Sequence, residues 1–254
     1  MIIFKKQSLE KLLMEQAARL IRSSKYTIAL TGAGISAESG IPTFRGHQGL
    51  WERYDPMEYA SIGSFIEDPE KVWKALHELD EIMQKARPNP AHFALAESEK
   101  MGYLKAIITQ NVDGLHQAAG SKNVIEFHGS AKRLICLNCG RVYQREEIDT
   151  SVLVPRCKCN GLLKPDVVFF GEPIPEKAME LANQEVDACD LMLVIGTSAE
   201  VVPASILPWE AKRSGAKIIE VNLSPTNLTD EITDIFLQGP ATKVLTSLLK
   251  EITV

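Results

Sequence analysis

No stretch of eighteen consecutive apolar residues occurs in this chain, so no segment reads as a membrane-spanning helix. The first residues, Met1-Ile2-Ile3-Phe4-Lys5-Lys6, carry neither a long apolar core nor a small-residue cleavage site, and no secretory leader is expected. A long basic block is missing too. The net charge is −5, whereas non-specific nucleic-acid binding needs many cationic contacts to phosphate. The mildly acidic balance favours basic substrates only weakly. Internal repeats and low-complexity segments are absent. Cysteines number only five. Four fall close together, at Cys136, Cys139, Cys157 and Cys159, and Cys189 stands alone. Without a leader, close cysteine pairs suggest metal before disulfides. A cytoplasmic location is expected, with neither membrane nor nucleic acid as a direct partner.

What is present is a core. The 254 residues suffice for one large domain, or one large and one small, and 45% of them are hydrophobic. Leu9, Leu12, Leu13, Ala17, Leu20 and Ile21 recur at helical spacing, with Ser8 as the expected N-cap. Short apolar runs at 26–31, 105–109, 124–127, 167–170, 191–195 and 217–221 read as strands. Helical patterns lie between them, near 69–86, 91–101, 175–188, 203–214 and 241–251. The alternation predicts an α/β fold: a Rossmann-like parallel sheet with helices on both faces. Near 131–165 cysteines and charges replace the apolar periodicity, as in a small inserted module. The expected organisation is a single catalytic domain over 1–254. Its large part covers about 1–130 and 166–254, the zinc module about 131–165, and a helical, cofactor-loop part of the small lobe about 35–90.

Gly32-Ala33-Gly34-Ile35-Ser36-Ala37 follows the first strand and fits the G-x-G-x-x-G/A phosphate fingerprint, with a helix expected to open there. Glycine lets backbone approach a pyrophosphate, and a helix N-terminus adds N–H donors. A plain structural turn would carry the same pattern. A dehydrogenase should next show a strand ending in Asp or Glu about 20 residues on. Here the chain reads Thr43-Phe44-Arg45-Gly46-His47-Gln48-Gly49-Leu50-Trp51, an aromatic- and arginine-containing loop. Hydride transfer loses support.

The first cysteine pair, Cys136-Leu137-Asn138-Cys139, has C-x-x-C form, but the second, Cys157-Lys158-Cys159, is one residue short of the zinc-ribbon template. Two thiolates one residue apart can still reach one tetrahedral ion at about 2.3 Å through a tighter turn. Four thiolates would leave no position for water, so such a zinc would be structural. Four free thiols are the alternative. Cys189 reads as a small buried apolar residue.

The run Gly32 to Arg45, through Glu38-Ser39-Gly40-Ile41-Pro42-Thr43-Phe44, resembles the cofactor signature of the sirtuins. Thr109-Gln110-Asn111-Val112-Asp113-Gly114-Leu115-His116, Phe127-His128-Gly129, Lys164-Pro165-Asp166-Val167-Val168-Phe169-Phe170-Gly171-Glu172, Gly196-Thr197-Ser198 and Val221-Asn222 resemble further motifs of that family, in family order. The matches span about residues 26–245. The resemblance implies an NAD-dependent protein-lysine deacetylase that releases nicotinamide, O-acetyl-ADP-ribose and free lysine. It implies NAD as co-substrate, one structural zinc, and acyl-lysine proteins or peptides as partners.

By the same resemblance, Gly32, Ala33, Gly34, Ser36, Glu38, Phe44, Arg45, Gln110, Asn111, Asp113, Gly196, Thr197, Ser198, Asn222, Ser224 and Ala241 bind NAD. Phe44 would shield the reactive carbon, and Arg45 would lie near the phosphates. Gln110 would meet the nicotinamide ribose, and Asn111 and Asp113 the nicotinamide amide. His128 would be the general base, with Asn111 beside it in catalysis; neutral imidazole suits that task near pH 7. Val168, Phe170, Gly171 and Glu172 would wall the peptide on one side and residues 199–202 on the other, the peptide adding as a strand. Each residue also has a structural reading: Gln110, Asn111 and Asp113 as turn formers, His128 as a satisfied histidine, Thr197 and Ser198 as an N-cap, Phe44 as core. Other functions stay open: a mono-ADP-ribosyltransferase, a deacylase for longer or acidic acyl groups, a non-catalytic NAD sensor, and, last, a dehydrogenase.

Overall fold

The structure is a computed structural model that describes residues 2–44, 49–149 and 152–254. Among the described residues nine strands form two sheets: β1 Thr27–Thr31, β2 Ala106–Thr109, β3 Val124–Glu126, β4 Gly129–Cys136, β5 Val142–Gln144, β6 Leu163–Val167, β7 Leu191–Ile195, β8 Lys217–Asn222 and β9 Ile235–Gln238. The larger sheet is wholly parallel in the order β3-β2-β1-β7-β8-β9. Numbered among themselves, its strands run 3-2-1-4-5-6, the doubly wound order that binds dinucleotides where the order reverses. Here that reversal falls between β1 and β7.

Both faces of this sheet are covered, so its strands read as continuous apolar runs. Ala29, Ile107, Leu193, Ile195 and Val221 point to one core with Ala17 and Ile21 of the helix Ile2–Ser23, Leu95 of Pro90–Lys100, and Leu245 and Leu248 of Ala241–Thr253. Their neighbours Ile28, Leu30, Ile108, Met192 and Val194 point to the other, against Ala182 and Val186 of Glu176–Ala188 and Leu207 and Ala211 of Leu207–Arg213. Cys189 is buried in this second core, as expected, and burial pushes its thiol up to about 12.

The smaller sheet, β5-β4-β6, is antiparallel and spans the cysteine-rich region. Its core combines Leu134, Leu163 and Phe169 with Phe65, Val72 and Trp73 from the helices Ile62–Glu67 and Pro69–Lys85. Trp73 Nε1 donates to the Leu163 carbonyl at 3.1 Å. Arg133 on β4 joins the two sheets, binding Glu126 of β3 at 3.0 Å and Asp166 of β6 at 2.8 Å.

Four expectations are corrected. The first helix starts at Ile2, so Ser8 is interior and caps nothing. The glycine loop opens no α-helix; two 3-10 turns, Ala33–Ile35 and Ala37–Ser39, follow it. Residues 167–170 are not a strand of the large sheet: β6 ends at Val167, and the apolar run after it is an extended link. Its peptide groups pair locally, Val168 N–H with the His128 carbonyl and Phe170 N–H with the Ala60 carbonyl. The pattern near 203–214 divides into a 3-10 turn, Ala204–Ile206, and the helix Leu207–Arg213. The sequence pattern leaves out β9, where only Ile235-Phe236-Leu237 is apolar before the exposed Gln238, and the strands β4, β5 and β6, where polar and charged residues interrupt the apolar runs.

Candidate active site

Every cofactor motif lies at a carboxyl end of the large sheet. Gly32 follows β1, Gln110 follows β2, His128 follows β3, Gly196 follows β7 and Asn222 ends β8. That is where open α/β sheets hold ligands.

The glycines are demanded by the two loops at the reversal point. Gly32 N–H donates to the Ile195 carbonyl at 3.0 Å, and Gly34 N–H to the Gly196 carbonyl at 2.8 Å. A Cβ on Gly34 would stand 2.7 Å from Gly196 Cα, and one on Gly32 2.7 Å from Thr197 Cβ. Gly196 also has φ of 59°, a left-handed conformation that costs glycine nothing. The motif therefore interlocks β1 with β7.

Beneath this lock sits a polar cluster. Ser36, 1% exposed, donates to Asp113 Oδ2 at 2.7 Å and accepts from Asn111 Nδ2 at 3.1 Å. Asn111 Nδ2 also reaches the Gly32 carbonyl at 3.1 Å. Asp113 Oδ1 accepts from Leu115 N–H at 2.9 Å, so this residue both shapes its turn and binds Ser36. Gln110 Nε2 donates to Thr197 Oγ1 at 3.0 Å, joining the β2 loop to the β7 loop. These are more than turn formers. Thr197 and Ser198 cap no helix, since the next turn and helix are capped by Pro203 and Ile206.

His128 is half-buried, and its Nδ1 lies 3.2 Å from the Gln110 carbonyl. A carbonyl only accepts, so Nδ1 carries the proton and Nε2 keeps its lone pair. Burial lowers the ring's pKa, partly offset by that hydrogen bond. The arrangement gives a neutral imidazole with a basic nitrogen. The next residue must be glycine, because a Cβ on Gly129 would meet the Asp166 carbonyl oxygen at 2.1 Å.

Phe44 is 41% exposed, which rejects core packing for it. Arg45 lies outside the described residues. Glu38 accepts from the Thr242 hydroxyl and so brings the glycine loop to Ala241, the first residue of the last helix. Asn222 Nδ2 donates to the Thr197 carbonyl at 2.9 Å, and Ser224 is exposed just beyond. On the other side, Phe170 has both its N–H and its carbonyl engaged, with Ala60 and Ile62. The Val168 N–H is engaged as well, with the His128 carbonyl at 2.9 Å. Glu172 Oε2 accepts from Lys164 Nζ at 2.9 Å and Phe169 N–H at 2.8 Å, which fixes the 168–172 link.

Sequence reasoning did not single out His92 and His116. Their rings meet edge to face at 4.9 Å, below Ser36 and Thr31. Burial pushes His92 down to about 4 and His116 down to about 3, so both are neutral. No metal-ligand spacing marks them; only their place on two core-facing helices does.

The four cysteines converge, with all four sulfurs within 4.8 Å of one another. Cys136 and Cys159 are 3.6 Å apart, and Cys139 and Cys157 3.7 Å. Four thiolates at about 2.3 Å from a tetrahedral ion would be about 3.8 Å apart. The cluster fits zinc. The short second pair is accommodated by a tight turn: Asn160 has φ of 66°, its N–H returns to the Cys157 carbonyl, and Gly161 follows. A Cβ on Gly161 would stand 2.7 Å from Cys136 Sγ. The Cys159 N–H and then the Tyr143 hydroxyl hold the Cys157 thiol down at about 6, whereas Cys139, against the Arg141 N–H that lowers it, is pushed up to about 11 by hydrogen bonds among the thiols. A metal requires all four as thiolates.

The chain matches the model of the Sir2 family over residues 32–203. It is 49% identical over 236 residues to the NAD-dependent protein deacylase 2 of Pyrobaculum aerophilum, covering 92% of this chain and 94% of that protein. A solved structure described as a Sir2 homologue–NAD complex superposes with a TM-score of 0.88 at 47% identity, over 94% of this chain and 93% of that one. Another, described as Sir2–p53 peptide–NAD+, gives a TM-score of 0.83 at 38% identity, over 92% of this chain and 95% of that one.

Proposed function

This chain belongs to the Sir2 family, the sirtuins, and from that premise we propose that it is an NAD-dependent protein-lysine deacylase. The observation that carries the reading is His128: a neutral imidazole, held by its Nδ1 proton, with Nε2 free beside the Gln110–Asn111–Asp113 turn. NAD is the co-substrate, with its phosphates at the reversal point and its adenosine toward Asn222, Ser224 and Ala241. Gly32, Ala33, Gly34, Ser36 and Glu38 line the loop, Arg45 serves the phosphates, and Phe44 covers the reactive carbon. Nicotinamide leaves the ribose, its amide held by Asn111 and Asp113 and its ribose by Gln110. The acyl oxygen of the lysine attacks the anomeric carbon. His128 Nε2 takes the proton of a ribose hydroxyl, whose oxygen attacks the acyl carbon. Water completes release of lysine and O-acyl-ADP-ribose.

The partner is an acyl-lysine peptide lying between the 168–172 link and residues 199–202. A relative described with both a p53 peptide and NAD+ supports a peptide as the partner. Four thiolates from Cys136, Cys139, Cys157 and Cys159 would hold one zinc outside the chemistry, as a brace for the small sheet. Among the described residues no helix is long and apolar enough to cross a membrane. A cytoplasmic location belongs to this reading, because reduced metal-binding thiols suit a reducing compartment.

The test is direct. The protein is incubated with NAD and an acetyl-lysine peptide, and all products are followed by mass spectrometry. Nicotinamide, O-acetyl-ADP-ribose and deacetylated peptide are expected together. ADP-ribosylated protein without deacetylated lysine would instead assign a mono-ADP-ribosyltransferase.

A further inference from the structure

Glu220 on β8 is 1% exposed and two residues before Asn222. A buried carboxylate must be satisfied by donors. Its Oε1 accepts from the Thr226 hydroxyl at 2.7 Å, and its Oε2 from Thr229 at 2.7 Å and Thr233 at 3.0 Å. All three threonines belong to the connection between β8 and β9. Two of them bind backbone at the same time. Thr229 Oγ1 accepts from Thr226 N–H at 2.8 Å, and Thr226 Oγ1 from Leu228 N–H at 3.1 Å. Their protons go to Glu220 while their oxygens hold the chain, which requires a centre that only accepts. Leu228, fully buried, anchors this segment on the core. From its outer side Asn227 Nδ2 donates to the Ala199 carbonyl at 3.1 Å. Ala199 N–H in turn reaches Thr197 Oγ1 at 3.2 Å, and the Thr197 carbonyl receives Asn222 Nδ2. The connection therefore bridges the β8 and β7 loops on the crevice side.

We propose that Glu220 is a positioning residue whose carboxylate folds the β8–β9 connection into a fixed wall at the adenosine end of NAD, and that Asn227 ties this wall to the Ala199 segment beside the acyl-lysine peptide. The inference rests on the functional reading above. The carboxylate touches neither substrate; it acts through Thr226, Thr229, Thr233 and Asn227.

The experiment uses the full chain and measures ADP-ribose affinity by calorimetry, KM for NAD and for an acetyl-lysine peptide, kcat, and the thermal transition. Glu220→Gln places an NH₂ donor against one of the hydroxyls. It should weaken ADP-ribose and raise KM for NAD about tenfold, the scale of a disrupted buried hydrogen-bond set, with kcat within about twofold. Asn227→Ala leaves the threonine–carboxylate bonds in place. It should raise peptide KM about fivefold and change ADP-ribose affinity by less than about twofold. If Glu220→Gln does not fold, Thr233→Val removes one donor and should weaken ADP-ribose about threefold, while Thr233→Ser restores it. A folded Glu220→Gln, or failing that a Thr233→Val, with wild-type ADP-ribose affinity and KM for NAD overturns the proposal. A wild-type protein that neither binds ADP-ribose nor consumes NAD with the peptide overturns the functional reading beneath it.

Discussion

At the scale of single residues, the proposed chemistry turns on the histidine after β3. His128 is useful as a base only while neutral. Burial lowers its pKa from the ordinary 6.5, so protonation, and loss of the base, needs a lower pH than for an exposed histidine. The acidic limb of kcat/KM should therefore have its midpoint below about 6.5. A midpoint above about 7 in a pH–rate profile would remove His128 from that limb. His128→Ala should cut deacylation by about 10² or more and leave ADP-ribose binding near wild type, which calorimetry can check. The same residue shows how far sequence reading reaches. Its motif was visible, but the tautomer depends on the Gln110 carbonyl, eighteen residues away in the chain.

At the scale of elements, the glycine turns and the helix Pro69–Lys85 carry the testable content. Gly34→Ala forces a Cβ to within 2.7 Å of Gly196 Cα, in a lock with no flexible side chain to yield. Overpacking of this kind costs about 1–3 kcal/mol, so urea unfolding should show a lowered midpoint, with NAD binding weakened in parallel. In the cysteine module, metal analysis should find one zinc per chain. Gly161→Ala, which crowds Cys136 Sγ at 2.7 Å, should lower zinc retention against a chelator. Acyl choice is set at this scale too. Sirtuins that prefer succinyl or malonyl groups carry a Tyr and an Arg three residues apart in the corresponding helix, and Pro69–Lys85 contains neither. Its histidine, His77, meets the Leu153 carbonyl, and Arg87 beyond its end binds the Gln84 and Ala86 carbonyls. Lys74 and His77 could partly compensate but offer no planar bidentate fork, so among the described residues of this helix an acidic acyl group finds no full partner, at a cost on the order of several kcal/mol in a dry pocket. Acetyl-lysine should accordingly outcompete succinyl-lysine in one mixed-peptide assay. A higher kcat/KM for the succinyl peptide would contradict this.

At the scale of the whole molecule, the buried histidine pair sets the response to acid. In the folded state His92 titrates at about 4 and His116 at about 3, against 6.5 when unfolded. Between those values the unfolded chain binds more protons, so stability falls as pH drops below 6.5 and goes on falling toward the folded pKa values. Asp190 and Asp234 behave differently. Their hydrogen bonds lower them from 3.8 despite the opposing effect of burial, and their stabilisation persists until pH falls below that value. The first loss on acidification should thus appear between pH 6.5 and 5, above the range in which Asp190 and Asp234 titrate. Urea midpoints at pH 7.5, 6 and 5 would read it, and a His116→Gln variant should show a shallower decline. A flat midpoint across that range would mean that the pair opens to solvent.

The sequence by itself determined what depends on neighbours along the chain. Apolar runs of strand length alternating with 3.6-residue periodicity specify a parallel α/β sheet, because each pattern buries one kind of face. Paired cysteines and their spacing specified a metal module, and the ordered motifs specified the family. Only the tertiary structure decided what depends on distant partners. The run 167–170 is as apolar as a strand, yet it becomes a link, because β4 captures the residues before it and Ala60 and Ile62 pair with Phe170. Gly32 and Gly34 follow a phosphate fingerprint, but the contacts that require them come from Gly196 and Thr197, more than 160 residues on. Glu220 stands in an apolar strand as an apparent exception, and its acceptors find donors only when the next connection folds back over it. Hydrogen bonds and close packing act over a few ångströms in space, so residues far apart in sequence meet only after the sheet has formed.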